Sequence, residues 1–206
     1  MKKKLLLDLK LLKSLLFLVL SAAMVLSCDD IAPEREETPE LITKVVLTFT
    51  PMAGGPAVIG TANDPDGDGL QNMTPDAAIN LNSNTSYSLE ISLLNGLADP
   101  SSAAYDVSAE VKEEADEHLF FFGWSGGLFQ NPQGDGNIED RDDNVDYSDT
   151  DANGLPLGLV TAWTTGPAEN GTFRIVLKHQ PNLKSLMSGS DIGESDLDVE
   201  FNITID

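Results

Sequence analysis

The sequence predicts a mainly β protein, an antiparallel Ig-like β-sandwich of seven to eight strands with one short helix. From Leu41 onward the apolar residues recur mostly at every second position, in short runs that Gly, Pro, Asn and Asp separate. Strands that bury one face and alternate with turns over about 165 residues are typical of such a sandwich. The chain shows no regular alternation of strand and helix, which argues against a parallel nucleotide-binding sheet.

Eight segments carry the strand pattern. In chain order they are residues 42–50, 57–62, 78–81, 86–94, 118–124, 157–164, 172–180 and 197–205. The clearest alternation is in 172–180, where Phe173, Ile175 and Leu177 share one face and Arg174 lies on the other. This pattern indicates a sheet with one face on a core.

One helix is predicted over residues 106–118. Val107 and Val111 stand at helical spacing, and Asp106 or Ser108 is available as the N-cap. We expect two to three turns that lie across one end of the sandwich.

Residues 1–27 have the composition of a secretory signal peptide. Five Lys precede an uncharged apolar run that is too short for a bilayer core, which takes about 20 helical residues. The run ends in Val25-Leu26-Ser27-Cys28, which resembles the lipobox of bacterial lipoproteins. We therefore predict that Cys28 carries the lipid that anchors the mature chain to a membrane. The alternative is an ordinary signal peptide followed by a chance cysteine.

Residues 28–40 are predicted to form an acidic, Pro- and Glu-rich tether that precedes the sandwich domain of residues 41–206. Asp29 and Asp30 directly after the cysteine resemble the export tag of Bacteroidota lipoproteins. This resemblance implies an outer-membrane protein at the cell surface, with the periplasmic face as the alternative.

Charge and cysteine content exclude two classes of protein. The chain has 34 acidic and 12 basic residues, a net charge of −22, and residues 28–206 alone carry −26. A nucleic-acid binder that relies on a basic face is excluded, because phosphate contacts need clustered Lys and Arg. The single cysteine cannot form a disulfide within the chain.

Two loops resemble the start of a calcium-binding loop. Each places oxygen side chains at alternate positions: Asp64, Asp66 and Asp68 in the first, Asp149, Asp151 and Asn153 in the second. Hard oxygen ligands in a tight turn suit Ca²⁺. Position twelve of the first loop is Pro75 rather than Glu, which excludes an EF-hand. We predict that calcium binds these loops; the alternative is a pair of solvated acidic turns.

The two histidines suggest a different site. His118 and His179 are both predicted to point toward the core near strand ends, and Glu114 lies four residues before His118. Together, Glu114, His118 and His179 can form a small transition-metal site. The alternative is a pair of hydrogen-bonded structural histidines.

The segment Gly123-Trp124-Ser125-Gly126-Gly127 matches the G-x-S-x-G pattern of α/β-hydrolases. A nucleophile elbow needs a helix directly after the serine, and Gly126, Gly127 and Pro132 interrupt any helix there. We therefore predict that the protein is not an enzyme.

Several motifs together resemble a family of uncharacterised Bacteroidota outer-membrane lipoproteins. They are Leu47-Thr48-Phe49-Thr50-Pro51, Asp64-Pro65-Asp66-Gly67, Glu113-Glu114-Ala115-Asp116-Glu117-His118, Asp149-Thr150-Asp151-Ala152-Asn153-Gly154 and Lys178-His179-Gln180-Pro181. Some members carry the label "type 1 periplasmic binding fold", a fold of two α/β lobes that needs more helix and length than this chain has. The resemblance implies a location and a fold, and it implies no activity.

These observations favour a non-enzymatic, lipid-anchored β-sandwich that binds calcium and serves as a binding or accessory module of a surface complex. The alternative is a lipoprotein that captures zinc or copper through Glu114, His118 and His179. Such a protein would pass the metal to an outer-membrane transporter.

Overall fold

The structure is a computed structural model that describes residues 40–67 and 73–206. Within these residues it has eleven strands: β1 (Lys44–Pro51), β2 (Val58–Asn63), β3 (Thr74–Pro75), β4 (Ile79–Leu81), β5 (Ser86–Leu94), β6 (His118–Trp124), β7 (Phe129–Asn131), β8 (Asp146–Tyr147), β9 (Val160–Thr165), β10 (Glu169–His179) and β11 (Glu194–Ile205). A 3₁₀ turn (Ala103–Tyr105) and one helix, α1 (Val107–Glu113), stand between β5 and β6.

The strands form two sheets that pack face to face. The seven-stranded sheet has the order β3-β2-β1-β5-β9-β7, with β8 also paired to β9, and the four-stranded sheet has the order β4-β11-β10-β6. Every pairing is antiparallel except that of β4 with β11. The predicted antiparallel β-sandwich is therefore confirmed.

All eight predicted strands form, with shifts of a few residues at some ends. β5 and β6 have the predicted bounds, whereas β9 begins at Val160 and β11 already at Glu194. The three additional strands, β3, β7 and β8, are two or three residues long. A segment this short shows no alternation, so the sequence pattern does not reveal it.

Alternate residues of both sheets meet in one apolar core. β1 contributes Val45, Leu47 and Phe49, all fully buried. In β10, the Phe173 ring lies 6.2 Å from the Phe49 ring and 5.0 Å from the Trp163 ring, measured between centroids. Phe173 thus joins the four-stranded sheet to two strands of the seven-stranded sheet.

Residues 134–157, which hold eight acidic residues and one Arg and are called the acidic segment below, cover the outer edge of β6. Phe122 donates its backbone N–H to Asn137 Oδ1 at 2.9 Å and accepts from Asn137 N at 2.8 Å. Further along the edge, Trp124 N donates to Asp135 O at 2.9 Å and Phe120 N to Leu157 O at 2.8 Å. At this edge the backbone N–H groups of Phe120, Phe122 and Trp124 and the carbonyl groups of Phe120 and Phe122 are therefore paired within the chain.

A glycine permits this cover to approach β6 closely. Gly136 has a φ of +100°, and a Cβ built there would lie 2.0 Å from the Phe122 carbonyl oxygen. We expect Gly136→Ala to lower the free energy of unfolding by about 1–3 kcal/mol, because the backbone must shift to relieve the clash. Chemical denaturation measures this loss.

Gly134 is a matched control for Gly136. It has a φ of +103°, but a Cβ there would have no heavy atom within 4 Å. Gly134→Ala therefore carries only the backbone strain, about 1 kcal/mol. Equal losses in the two variants would show that the close approach at Gly136 has no cost.

The helix α1 is shorter than predicted. Asp106 Oδ1 accepts from Ala109 N at 3.3 Å as N-cap, and Val107 and Val111 are buried in the core. The helix ends at Glu113, and a turn follows in which Glu117 N donates to Glu114 O at 2.9 Å. His118 therefore begins β6 and does not share a helix face with Glu114.

Candidate metal centre

The pairing of β6 with β10 places the two histidines side by side. His118 and His179 are direct partners in the ladder, and their rings stack with centroids 4.6 Å apart and planes at 6°. The His118 side chain is fully buried, and the His179 side chain is 11% exposed. The pair lies at the end of the core, on the face that carries Phe120 and Leu177.

The turn after α1 brings two glutamates to this pair. His118 Nδ1 lies 3.1 Å from the backbone carbonyl of Glu114, and Glu117 Oε2 lies 3.2 Å from His179 Nε2. One ligand atom from each of Glu114, His118 and His179 lies within 4.8 Å of the other two. The structure thus brings together the three residues that the sequence predicts, although a turn rather than a helix face joins Glu114 to His118.

Asp196, which the sequence analysis missed, is the buried acid closest to the centre. The β10–β11 register passes from Leu177 opposite Leu197 to Lys178 opposite Ser195, so Asp196 is the extra residue of a β-bulge. A bulge turns a side chain out of its regular alternation. Asp196 is accordingly only 3% exposed, although regular alternation would place it in solvent beside Asp198.

Glu40 supplies a second acid that the sequence analysis assigned to the tether. Its Oε1 lies 3.9 Å from His118 Nε2, and its side chain is 12% exposed. Burial, reinforced by the negative charge of Glu110, raises the pKa of Glu40 to about 7. Nothing in the pattern around residue 40 indicates that this carboxyl group folds back onto β6.

His118 is flanked by acceptors on both sides. Its Nε2 lies 3.6 Å from Asp196 Oδ2, and neither Nε2 nor either Asp196 oxygen has a hydrogen-bond partner among the described residues. Burial alone would lower the pKa of His118, but Asp196, the Glu114 carbonyl and Glu40 outweigh it and raise the pKa. The arrangement therefore favours a positive charge at this position.

The first predicted calcium loop is described only in part. Asp64 is buried, and its Oδ1 accepts from Gly67 N at 3.3 Å. Burial and the neighbouring Asp66 raise the pKa of Asp64. Asp68 lies outside the described residues. Calcium binding at this loop stays a prediction.

In the second predicted calcium loop, protein groups already surround the carboxylates. Asp149 accepts from the backbone N–H groups of Gly158 at 2.8 Å and Val160 at 3.2 Å. Asp151 Oδ1 accepts from Asn153 N at 2.8 Å. Asp151 Oδ2 lies 3.1 Å from Lys184 Nζ, so the two side chains form an ion pair. Calcium that used this oxygen would have to displace the Lys184 ammonium.

An acidic cleft of about 670 Å³ lies between α1, β5 and residues 149–160. Asp106, Asp116 and Asp149 line it together with Lys112. Neither histidine lines the cleft, so the cleft and the histidine cluster are separate features.

Ser125 is far from both histidines. The register sets Trp124 opposite Phe173 at one end of the β6–β10 pair and His118 opposite His179 at the other. At about 3.3 Å per residue, Ser125 is about 20 Å from either imidazole. Its Oγ accepts from Thr172 N at 2.9 Å. The G-x-S-x-G segment therefore forms no Ser–His pair.

The predictions for residues 1–27, for the tether up to residue 39 and for lipidation at Cys28 lie outside the described residues. Within residues 40–67 and 73–206, the structure has no helix with the length and apolar character that membrane crossing requires.

Comparisons of the chain with protein-family models, with curated proteins and with solved structures give no match, so its resemblance to a lipoprotein family stays a prediction.

Proposed function

We propose that this protein is a lipid-anchored cell-envelope module whose β-sandwich binds a divalent transition metal, with Zn²⁺ as the first choice. The observation that carries the proposal is the cluster of Glu114, His118 and His179, whose ligand atoms lie within 4.8 Å of one another. The role is non-enzymatic: the module captures the metal and passes it to an outer-membrane partner.

The donor chemistry favours zinc over calcium at this cluster. Imidazole and carboxylate donors are typical ligands of Zn²⁺, whereas Ca²⁺ takes oxygen ligands only. Neighbouring ligand atoms of a zinc ion are about 3.4 Å apart, so ligand atoms that lie up to 4.8 Å apart need to approach one another by up to about 1.4 Å. Because lone pairs of parallel rings do not converge, one ring must also rotate. We expect the His179 ring to rotate, because it lies at the end of β10 and is the less buried of the two histidines.

The location at the envelope is supported by the sequence alone. The lipobox at Cys28 supports lipidation, and the acidic pair after it supports export to the outer membrane. A partly exposed site suits reversible capture. Glu117, which contacts His179, has a side chain that is 34% exposed and so gives a metal ion a route from solvent.

Zinc titration tests the proposed function. We expect the full-length chain in detergent to bind one Zn²⁺ in isothermal titration calorimetry. His179→Gln and Glu114→Gln should each weaken binding by about 10-fold or more, because each removes one ligand. Glu113→Gln is the matched control, since Glu113 is the exposed neighbour of Glu114. Equal affinity in wild type and His179→Gln would refute the proposed site.

Calcium stabilisation by the acidic loops is a separate proposal. If calcium binds, a concentration of 100 times Kd should stabilise the fold by about 2.7 kcal/mol and raise the thermal midpoint. We expect Asp66→Asn to remove this increase and Asn153→Ala to keep it, because Lys184 already pairs with Asp151 in the second loop. An unchanged midpoint in millimolar calcium would rule calcium out.

A further inference from the structure

We propose that the metal is held on the Nε2 side of His118, with Asp196 and Glu40 as ligands that complete the site. This inference rests on the proposed metal-binding function and extends its set of ligands from three to five, a coordination number to which zinc can expand. Three features of the described residues support it: the bulge in β11, the fixed tautomer of His118 and the spacing of the acceptor atoms.

The bulge directs a carboxylate into the core. Along β11 the residues Leu197, Val199 and Phe201 face the core, and Asp198 on the other face pairs with Arg174 at 2.7 Å. Regular alternation would place Asp196 on the same face of β11 as Asp198. It is instead buried against His118, because the register shifts between Leu177 and Lys178. A buried carboxylate without hydrogen-bond donors is costly unless a cation compensates it.

The Glu114 carbonyl sets the tautomer of His118. A carbonyl oxygen only accepts, so His118 Nδ1, 3.1 Å away, carries a proton and donates it. In the neutral imidazole the lone pair is therefore on Nε2. Histidines that bind metals typically donate their second N–H to a backbone carbonyl or a carboxylate in this way.

The groups that face Nε2 are acceptors as well. Asp196 Oδ2 lies 3.6 Å away and Glu40 Oε1 3.9 Å away. A neutral imidazole would thus direct its lone pair at two carboxyl groups, so the site requires either a proton, on Nε2 or on a carboxyl group, or a metal ion among the three groups.

The distances favour the metal ion. A charge-assisted N–H···O bond is about 2.7–2.9 Å long, much shorter than the 3.6 Å and 3.9 Å found here. Neighbouring ligand atoms of a zinc ion are about 3.4 Å apart, which is close to the 3.6 Å distance to Asp196 and about 0.5 Å shorter than the 3.9 Å distance to Glu40. With Glu40 as a ligand, the metal would also fix the segment that precedes β1 to β6 and β11.

Nuclear magnetic resonance tests the position of the metal directly, because the chain contains only two histidines. Long-range ¹H–¹⁵N spectra of the full-length protein in detergent, with and without zinc chloride, report which imidazole nitrogen binds. We expect His118 Nε2 to take the metal while Nδ1 stays protonated. A protonated Nε2 in the zinc-saturated protein would overturn the inference.

Calorimetry with matched variants tests the two acids. Asp196→Asn should weaken zinc binding beyond the roughly 10–100-fold typical of outer-shell partners, and Glu40→Gln by about 10-fold or more. Asp198→Asn, two residues along the same strand but on the other face, should bind zinc as wild type does. Unchanged affinity in Asp196→Asn and Glu40→Gln would overturn the inference and leave the proposed function intact. A wild type that binds no zinc would refute both.

Discussion

Asp151→Ala is expected to lower the free energy of unfolding by about 3–5 kcal/mol, because it leaves a buried Lys184 ammonium without its counter-charge. Both side chains of the pair are only 1% exposed. Lys184 Nζ also donates to Ala115 O at 2.6 Å, and this single bond does not replace a charge partner. Equilibrium denaturation in urea measures the loss.

Two comparisons separate the ion pair from other effects of the substitution. Asp142→Ala, at an exposed position of the same acidic segment, should change stability by less than about 0.5 kcal/mol. The double variant Asp151→Leu with Lys184→Met should recover most of the loss, because it removes both buried charges together. A loss below about 1 kcal/mol in Asp151→Ala would show that water reaches the lysine.

The same pair predicts a pH dependence. Burial raises the pKa of Asp151, but hydrogen bonding from Leu155 N and the Lys184 charge outweigh it, so the folded-state pKa lies below the usual value. A carboxyl group with a lowered pKa adds stability above its unfolded pKa and loses it as the pH falls through the folded value. The contribution of the ion pair should therefore disappear under acid conditions.

Phe173→Ala should lower the free energy of unfolding by about 3–5 kcal/mol, because it opens a cavity between the two sheets. The ring is fully buried and contacts aromatic rings at 5.0 Å (Trp163), 5.8 Å (Phe129) and 6.2 Å (Phe49). Urea denaturation again measures the loss.

Met52→Ala is the control for Phe173→Ala. It also removes a large apolar side chain, but one that is 58% exposed, and it should change stability by less than about 0.5 kcal/mol. Similar losses in the two variants would mean that the aromatic contacts do not hold the sheets together.

The strands were predictable because their burial follows a period of two. Tyr87, Leu89, Ile91 and Leu93 alternate with less buried residues throughout β5, and the predicted bounds are correct. In β6 residues 118–122 are all buried, because the acidic segment covers the second face through Ile138 and Tyr147. The sequence pattern does not reveal that the second face of β6 is covered, because the covering contacts are made by residues that are distant from β6 in the chain.

The histidine cluster was predictable in part. Both imidazoles lie on the apolar faces of predicted strands, so the alternation of side chains along each strand places them on the same side of the sheet. The position of Asp196 was not predictable in this way. The alternation of side chains along β11 predicts that Asp196 is exposed to solvent, and it is buried only because of the bulge. Register shifts arise from packing across strands, and a single sequence carries no local signal for them.

The ion pair between Lys184 and Asp151 was likewise not predictable from the sequence pattern. Asp151 stands in a D-x-D-x-N-G sequence that is typical of calcium loops, and the oxygens of this loop do serve a cation. The cation is an ammonium group from 33 residues further along the chain. The spacing of residues in the loop predicts which oxygen atoms lie close together. It does not predict which cation they bind.

The edge of β6 has a consequence for association between molecules. Its sequence, HLFFFGW, is rich in β-forming residues and has no acidic or Lys/Arg side chain, a composition that promotes cross-β aggregation when the backbone is free. Asp135, Asn137 and Leu157 pair outward backbone groups of Phe120, Phe122 and Trp124, which are then not available to another chain. We therefore expect the acidic segment to protect the protein against self-assembly through β6.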